Sequence, residues 1–181
     1  MGGVTHDVPA SEPHLRLDLS TGPRPEDAGE LWPVYDAVFG DHPDQATWRE
    51  TVWDRHTARD GFRLVRAYVA EELVGFAYGY TGQRGQWWTD RAADVLPPEV
   101  ARDWLGGHFE LVSIGVLGAV RGRGIGRALL RAVTDGLSQD RWLLMTSRDP
   151  EDPAHRLYVS EGWRVRGPGL TDDTVIMGRR P

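Results

Sequence analysis

The sequence predicts a mixed α/β (α+β) fold with antiparallel strand pairs early and a βαβ unit late. Three observations carry that expectation. Strand-like alternation and helix-like spacing of apolar residues take turns along residues 14–181. Two neighbouring strand patterns are joined through Glu71-Glu72, as in an antiparallel hairpin. A later apolar strand runs into a glycine-rich turn, a helix and another strand, the order of a βαβ unit. The chain has 181 residues, 40% hydrophobic and 27% charged, which is enough to bury a core without staples.

Each element follows from a local pattern. Residues 14–20 alternate Leu15, Leu17 and Leu19 with polar side chains, the period of a half-buried strand. Pro23, Pro25, Glu26 and Asp27 open a helix whose apolar stripe is Leu31, Val34, Tyr35, Val38 and Phe39, with Gly40 as its stop. A second helix is expected over 44–59, with Trp48, Val52 and Trp53 on one side. Residues 62–70 and 73–80 form the hairpin. The pattern blurs over 81–107, a polar loop at 83–90 followed by a short helix from Pro97 and Pro98 with Val100 and Trp104 inward. Residues 108–117 read as a buried strand, 124–138 as a helix, 141–146 as a strand and 152–160 as a helix begun by Pro153. Strands at 163–166 and 174–179 complete the chain.

Composition removes several classes of function. There is no cysteine, so no disulfide framework, thiolate metal site or cysteine nucleophile. All 21 basic residues are arginine; without lysine there is neither a Gly-Lys-Ser/Thr phosphate loop nor a Schiff-base enzyme. A net charge of -6 argues against nucleic acid as a partner. No apolar run is long enough for a membrane span, and the six histidines lack ligand spacing, so neither membrane nor metal is expected. Residues 1–13 are polar and read as a flexible tail rather than a signal peptide, which points to a cytoplasmic protein with a single domain over 14–181.

The glycine-rich turn is Val120-Arg121-Gly122-Arg123-Gly124-Ile125-Gly126-Arg127. Glycines let a ligand approach the backbone, and a helix start offers unpaired N–H groups to a phosphate, with the arginines adding charge. A dinucleotide turn would need glycine where Arg127 stands. The remaining match is Arg-x-x-Gly-x-Gly, made by Arg121, Gly124 and Gly126. It is joined on a later helix by Ala154-x-x-x-Tyr158-x-x-x-Gly162-Trp163. With both motifs in this order, the sequence resembles the GNAT superfamily of N-acetyltransferases, and the resemblance covers nearly all of the chain outside the tail.

The resemblance implies a mixed, mostly antiparallel twisted sheet flanked by helices, its fourth and fifth strands splayed to receive acetyl-coenzyme A as cosubstrate. It implies cofactor contacts from Ile114, Val116, Arg121, Gly122, Arg123, Gly124, Ile125, Gly126 and Arg127. Tyr158 matches the tyrosine near the thioester sulfur, a general acid in that role; otherwise it is a core aromatic beside Leu157. Glu110, a charge inside an apolar strand, is the candidate base; otherwise it sits at an exposed strand end paired with arginine. His108 is its substitute. Where relatives often carry asparagine, this chain has Glu151. The acceptor, a small-molecule or peptide amine, is expected near Tyr78, Tyr80, Trp87 and Trp88, and the acidic Asp36, Asp41 and Asp44 mildly favour a cationic one. A homodimer is expected from the resemblance. A non-catalytic acyl-coenzyme A sensor is the other reading, since it would keep the glycine turn without needing Tyr158 or Glu110.

Overall fold

A computed structural model describes residues 14–181; the tail expected over 1–13 lies outside the described residues. The chain runs β1 (Leu15–Ser20), α1 (Asp27–Phe39), α2 (Gln45–Trp48), α3 (Asp54–Thr57), β2 (Arg63–Val69) and β3 (Glu72–Gly82). It continues as α4 (Trp87–Val95), α5 (Pro98–Trp104), β4 (His108–Val116), α6 (Ile125–Thr134), β5 (Trp142–Ser147), α7 (Pro153–Ser160), β6 (Arg164–Pro168) and β7 (Thr174–Arg179). The helix expected over 44–59 is interrupted: a π-helical turn, Arg49–Trp53, joins α2 to α3. Asp44 caps its start by accepting from the Thr47 amide at 2.8 Å.

All seven strands form one sheet in the order β1-β2-β3-β4-β5-β7-β6. Every pairing is antiparallel except β4 with β5. That parallel pair meets only at Phe109↔Trp142 and Glu110↔Leu143, and beyond this rung the two strands diverge. The expected mixed sheet with splayed fourth and fifth strands is therefore present.

Helices cover both faces. The apolar side of α6 (Ile125, Leu129, Leu130, Val133) packs with Phe109 and Leu111 of β4 on one face. Leu31 and Tyr35 of α1 and the indoles of Trp48 and Trp53 pack with Phe76 and Tyr78 of β3 on the other. Beside them α4 and α5 lay Ala92, Leu96 and Trp104 over Leu143 and Ile176 of β5 and β7. Each fully buried leucine contributes about 1.5–3 kcal/mol relative to exposure. Arg66 of β2 is completely buried and is paired with Asp27, also buried, at the start of α1, which ties that helix to the sheet.

Two local expectations need correction. Residues 83–90 are not one polar loop: Trp87 and Trp88 occupy the first turn of α4. The physical signal is Trp88, Ala92 and Val95 at helical spacing, which all pack into the cluster under α4 and α5. The hairpin link also lies one residue earlier than expected. Glu72 pairs with Val69, so Ala70 and Glu71 make the two-residue turn, with φ of +50° and +64°. Both central residues of such a turn need positive φ, which suits Asn-Gly. Replacing Ala70→Asn with Glu71→Gly should therefore raise stability by about 1–2 kcal/mol, read as a higher urea midpoint at unchanged m-value; a lower midpoint would refute the turn assignment.

Candidate active site

The site begins where β4 and β5 separate. Past the Glu110 rung, β5 stays paired with β7 as far as Ser147↔Thr174, while β4 stays paired with β3 as far as Val116↔Gly75. The edge of β4 that faces β5 thus loses its partner. Leu117 donates its amide back to Val74, so alternation turns the polar backbone groups of Ile114 and Val116 into the gap. The Val116 carbonyl is met there by Arg121 Nε at 3.0 Å. A register shift opposite Tyr78 and Gly79 leaves Val112 as an extra residue, bending β4 at this point. The opening is a cavity of about 520 Å³ whose walls include Ile114, Val116, Ala154, Leu157 and Tyr158.

The glycine-rich turn closes one end. Gly122 and Gly124 have φ of +79° and +80°, which strain any other residue. Gly124 is the residue before α6 and supplies no side-chain cap. The first intrahelical bond is Ala128 N to Gly124 O, so the amides of Ile125, Gly126 and Arg127 have no helical partner. These residues, with Arg121, Gly122 and Gly124, line the cavity. Together they form a positively polarised, amide-rich cradle. Arg127 also pairs with Glu161 at 2.8 Å, and Arg131 pairs with the same carboxylate. Arg123 is exposed and is not part of the cavity wall.

The second motif has a mechanical reading. Asp152 accepts from the amides of Ala154 and His155 and starts α7, with Pro153 in its first turn. Ala154 and Tyr158, four residues apart, share the helix face that lines the cavity. Gly162, with φ of +86°, takes the left-handed turn that ends α7. Trp163 then enters the core fully buried, its ring 6.1 Å from that of Tyr158. Tyr158 is thus both a core aromatic and a wall of the cavity. Burial, and then the nearby Asp152 charge, push its phenol well above the ordinary value, so it stays protonated. Glu151 lies outside the cavity wall, its carboxylate 3.3 Å from Arg156.

Glu110 is not at an exposed strand end. It is 4% exposed, pairs with no arginine, and accepts from the Tyr80 hydroxyl at 3.3 Å through Oε1 while Oε2 has no partner. Burial raises its carboxyl to about 8, against smaller lowering effects of Tyr80 and Arg59. Its neighbours Phe109 and Leu111 face α6, so Glu110 faces the α1 and α4 side, opposite Tyr158, and does not line the cavity. There it meets buried Tyr80, whose ring lies 5.4 Å from that of His56, and His56 Nδ1 lies 3.1 Å from the hydroxyl of buried Tyr78. His56 was not anticipated; its place on the helix of Trp53 is the one signal in the sequence. Burial, Arg59 and Arg55 lower His56 to about 4. His108 is buried 6.1 Å from the Trp88 ring, and burial, Arg141 and Arg84 lower it to about 3. Trp87 is 69% exposed. Among the described residues there is no group of three metal-ligating side chains and no helix long and apolar enough to cross a membrane.

An open mixed sheet, parted at its one parallel pair and with a glycine-rich helix start at the mouth, defines an acetyltransferase of the GNAT class. Residues 29–163 match the model of the acetyltransferase (GNAT) family, and the chain belongs to that family. It is 28% identical to the GCN5-like protein acetyltransferase Rv2170 of Mycobacterium tuberculosis, over 96% of this chain and 95% of that one. Its fold is similar to that of PH1933 from Pyrococcus horikoshii (TM-score 0.64, 19% identity, 92% of this chain and 99% of the other). It is also similar to Arabidopsis thaliana Naa50, solved with a bisubstrate analogue of coenzyme A and a peptide (TM-score 0.60, 17% identity, 92% and 99%).

The raised Glu110 carboxyl has a consequence for stability. The folded chain holds a proton there that the unfolded chain releases above its ordinary value of 4.5, so folding stability falls as pH rises from about 4.5 to 8. Glu110→Gln keeps the shape and loses the titration. Its stability relative to the parent should therefore increase steadily between pH 5 and pH 8 in urea denaturation; parallel pH profiles would show that the carboxyl is not perturbed.

Proposed function

We propose that the chain is an N-acetyltransferase that uses acetyl-coenzyme A to acetylate an amine of a small molecule or a peptide. One observation carries this reading: a single cavity has an amide-rich helix start at one end and the Tyr158 phenol in its wall. The amides of Ile125, Gly126 and Arg127, with Arg121 and Arg127, suit a pyrophosphate. The β4 edge at Ile114 and Val116, which has no strand partner, suits an amide-bearing arm that pairs like a strand and takes the place of Arg121 on the Val116 carbonyl. Bound there, acetyl-coenzyme A supplies an activated acetyl thioester.

The chain's own residues then handle protons. Tyr158 keeps its Oη proton at neutral pH and can release it toward a thiolate. Glu110 can take a proton at Oε2, the atom without a partner, directly or through water, once it is ionised, a fraction that grows as pH rises toward about 8. An amine with an ordinary value near 10 is protonated at neutral pH and must lose that proton before attack. The two groups work from opposite faces of β4. The relatives support a peptide or protein amine, since one is called a protein acetyltransferase and another binds a coenzyme A–peptide analogue.

Thiol release from acetyl-coenzyme A across a panel of amines tests the activity, and the absence of cysteine leaves the thiol reagent only that product to find. Amine-dependent release that falls about 10²–10⁴-fold in Tyr158→Phe is expected. Tight binding with no transfer to any amine would instead favour the sensor. Placement of the pyrophosphate is tested separately: Gly124→Glu, which sets bulk and negative charge at the cradle, should weaken acetyl-coenzyme A binding by at least tenfold in calorimetry. Unchanged affinity in the folded variant would move the cofactor elsewhere.

A further inference from the structure

One edge of the sheet is β1, whose run Leu15-Arg16-Leu17-Asp18-Leu19 is symmetric about Leu17 with opposite charges on its two arms. Leu15, Leu17 and Leu19 stand opposite Val69, Ala67 and Val65 of β2, on the face that α6 covers. The helix does not reach over them. They are 39%, 36% and 43% exposed, a row of leucines at the margin of the sheet.

The backbone of the same three residues is open as well. The Thr81 amide goes to the Asp60 carbonyl, on the β2 side of β3, so alternation turns Ala77 and Gly79 toward β2. Their partners Val65 and Arg63 face β3, which leaves Leu64 and Arg66 to face β1 through Ser20 and Asp18. The N–H and C=O groups of Leu15, Leu17 and Leu19 therefore point away from the sheet, with no strand beside them among the described residues. The charged residues between them lie on the other face, each oriented by its own copy. Arg16 sits 4.1 Å over the Tyr68 ring and 3.0 Å from Glu71, while Asp18 is 2.8 Å from Arg24 and 3.7 Å from Arg66.

We propose that β1 pairs antiparallel with β1 of a second copy about a two-fold axis at Leu17. In this register Leu17 faces Leu17 and Leu15 faces Leu19 on one side of the joined sheet, so the leucines of both copies form one apolar row. Arg16 faces Asp18 twice on the other side. Charge selects the register: an axis at residue 16 sets Arg16 against Arg16, and an axis at residue 18 sets Asp18 against Asp18. The outward backbone groups of the three leucines meet their counterparts, and two seven-stranded sheets become one. The contact is the same patch on both copies, so it closes as a dimer and leaves no further edge of this kind to extend. Strands β2 and β3 separate it from β4, so the pairing is independent of the proposed activity.

The test uses the full chain. Analytical ultracentrifugation over a concentration series should show a monomer–dimer equilibrium. Leu17→Arg sets two like charges face to face at the axis and should raise the dissociation constant at least tenfold with unchanged circular dichroism. Because the chain has no cysteine, single cysteines read the register. With copper phenanthroline as oxidant, Leu17→Cys alone should give a disulfide-linked dimer, since residues directly opposite lie about 5.5 Å apart. Leu15→Cys and Leu19→Cys should cross-link in a mixture and not separately, because like positions are then about 13 Å apart along the strands. This pattern decides the matter if Leu17→Arg fails to fold. A monomer at every concentration, a dimer that folded Leu17→Arg leaves intact, or Leu15→Cys cross-linking as fast alone as in the mixture overturns the proposal. So does a monomer in which hydrogen exchange finds the Leu15, Leu17 and Leu19 amides protected, since another segment of the same chain then covers the edge.

Discussion

Everything at this site depends on two strands that run parallel for one short rung and then part. The separation is held from both sides. β7 takes β5 along its whole length, β3 takes β4, and the Phe109 amide on the Arg141 carbonyl at 2.9 Å pins the apex. Unpaired backbone in a core is costly, so such a gap persists only if its edges reach solvent or a ligand. Here the open wedge is walled on one side by α7, through Ala154, Leu157 and Tyr158. The same divergence leaves the edge at Ile114 and Val116 without a strand partner, with Arg121 on the Val116 carbonyl, and lets the chain turn through Gly122 and Gly124 into α6, whose first residues line the cavity.

Burial then sets the chemistry on each side of β4. The Tyr158 phenol and the Glu110 carboxyl are both pushed to hold their protons, and His56 and His108 are pushed to lose theirs. One physical cause therefore prepares a neutral acid on the α7 side and a carboxyl that titrates near 8 on the other. Both groups are neutral at pH 7, one on α7 and one on β4, and Glu110 alone becomes charged as pH passes about 8. Tyr80 and Arg59 act against burial at Glu110 and lower its value without overcoming it.

The two motifs were legible in the sequence because they describe short-range backbone mechanics. Gly124 and Gly162 are needed for left-handed turns, Ala154 and Tyr158 for one helix face, and Trp163 for the first core contact after the turn. Strands betrayed themselves by period, down to the hairpin, where the link was displaced by one residue because Ala70 and Glu71 are unusual occupants of positive φ. Helix α4 was missed for the opposite reason. Its stripe of Trp88, Ala92 and Val95 is sparse and begins inside a run of polar residues, so the packing partner over β5 and β7 decides its state.

What the sequence could not show is anything set by pairing across the sheet. A lone Glu110 in an apolar strand announces a demand for a partner but not whether the partner exists; only the fold reveals Tyr80 on one oxygen and nothing on the other. Likewise an excess of acidic residues over basic ones says little about local field. The net charge of -6 belongs to the whole chain, yet Asp41 is held by Tyr35 and His42, and Asp44 caps α2. Net charge is a sum over the chain and fixes no local field, because exposed charges farther apart than a Debye length are screened from one another.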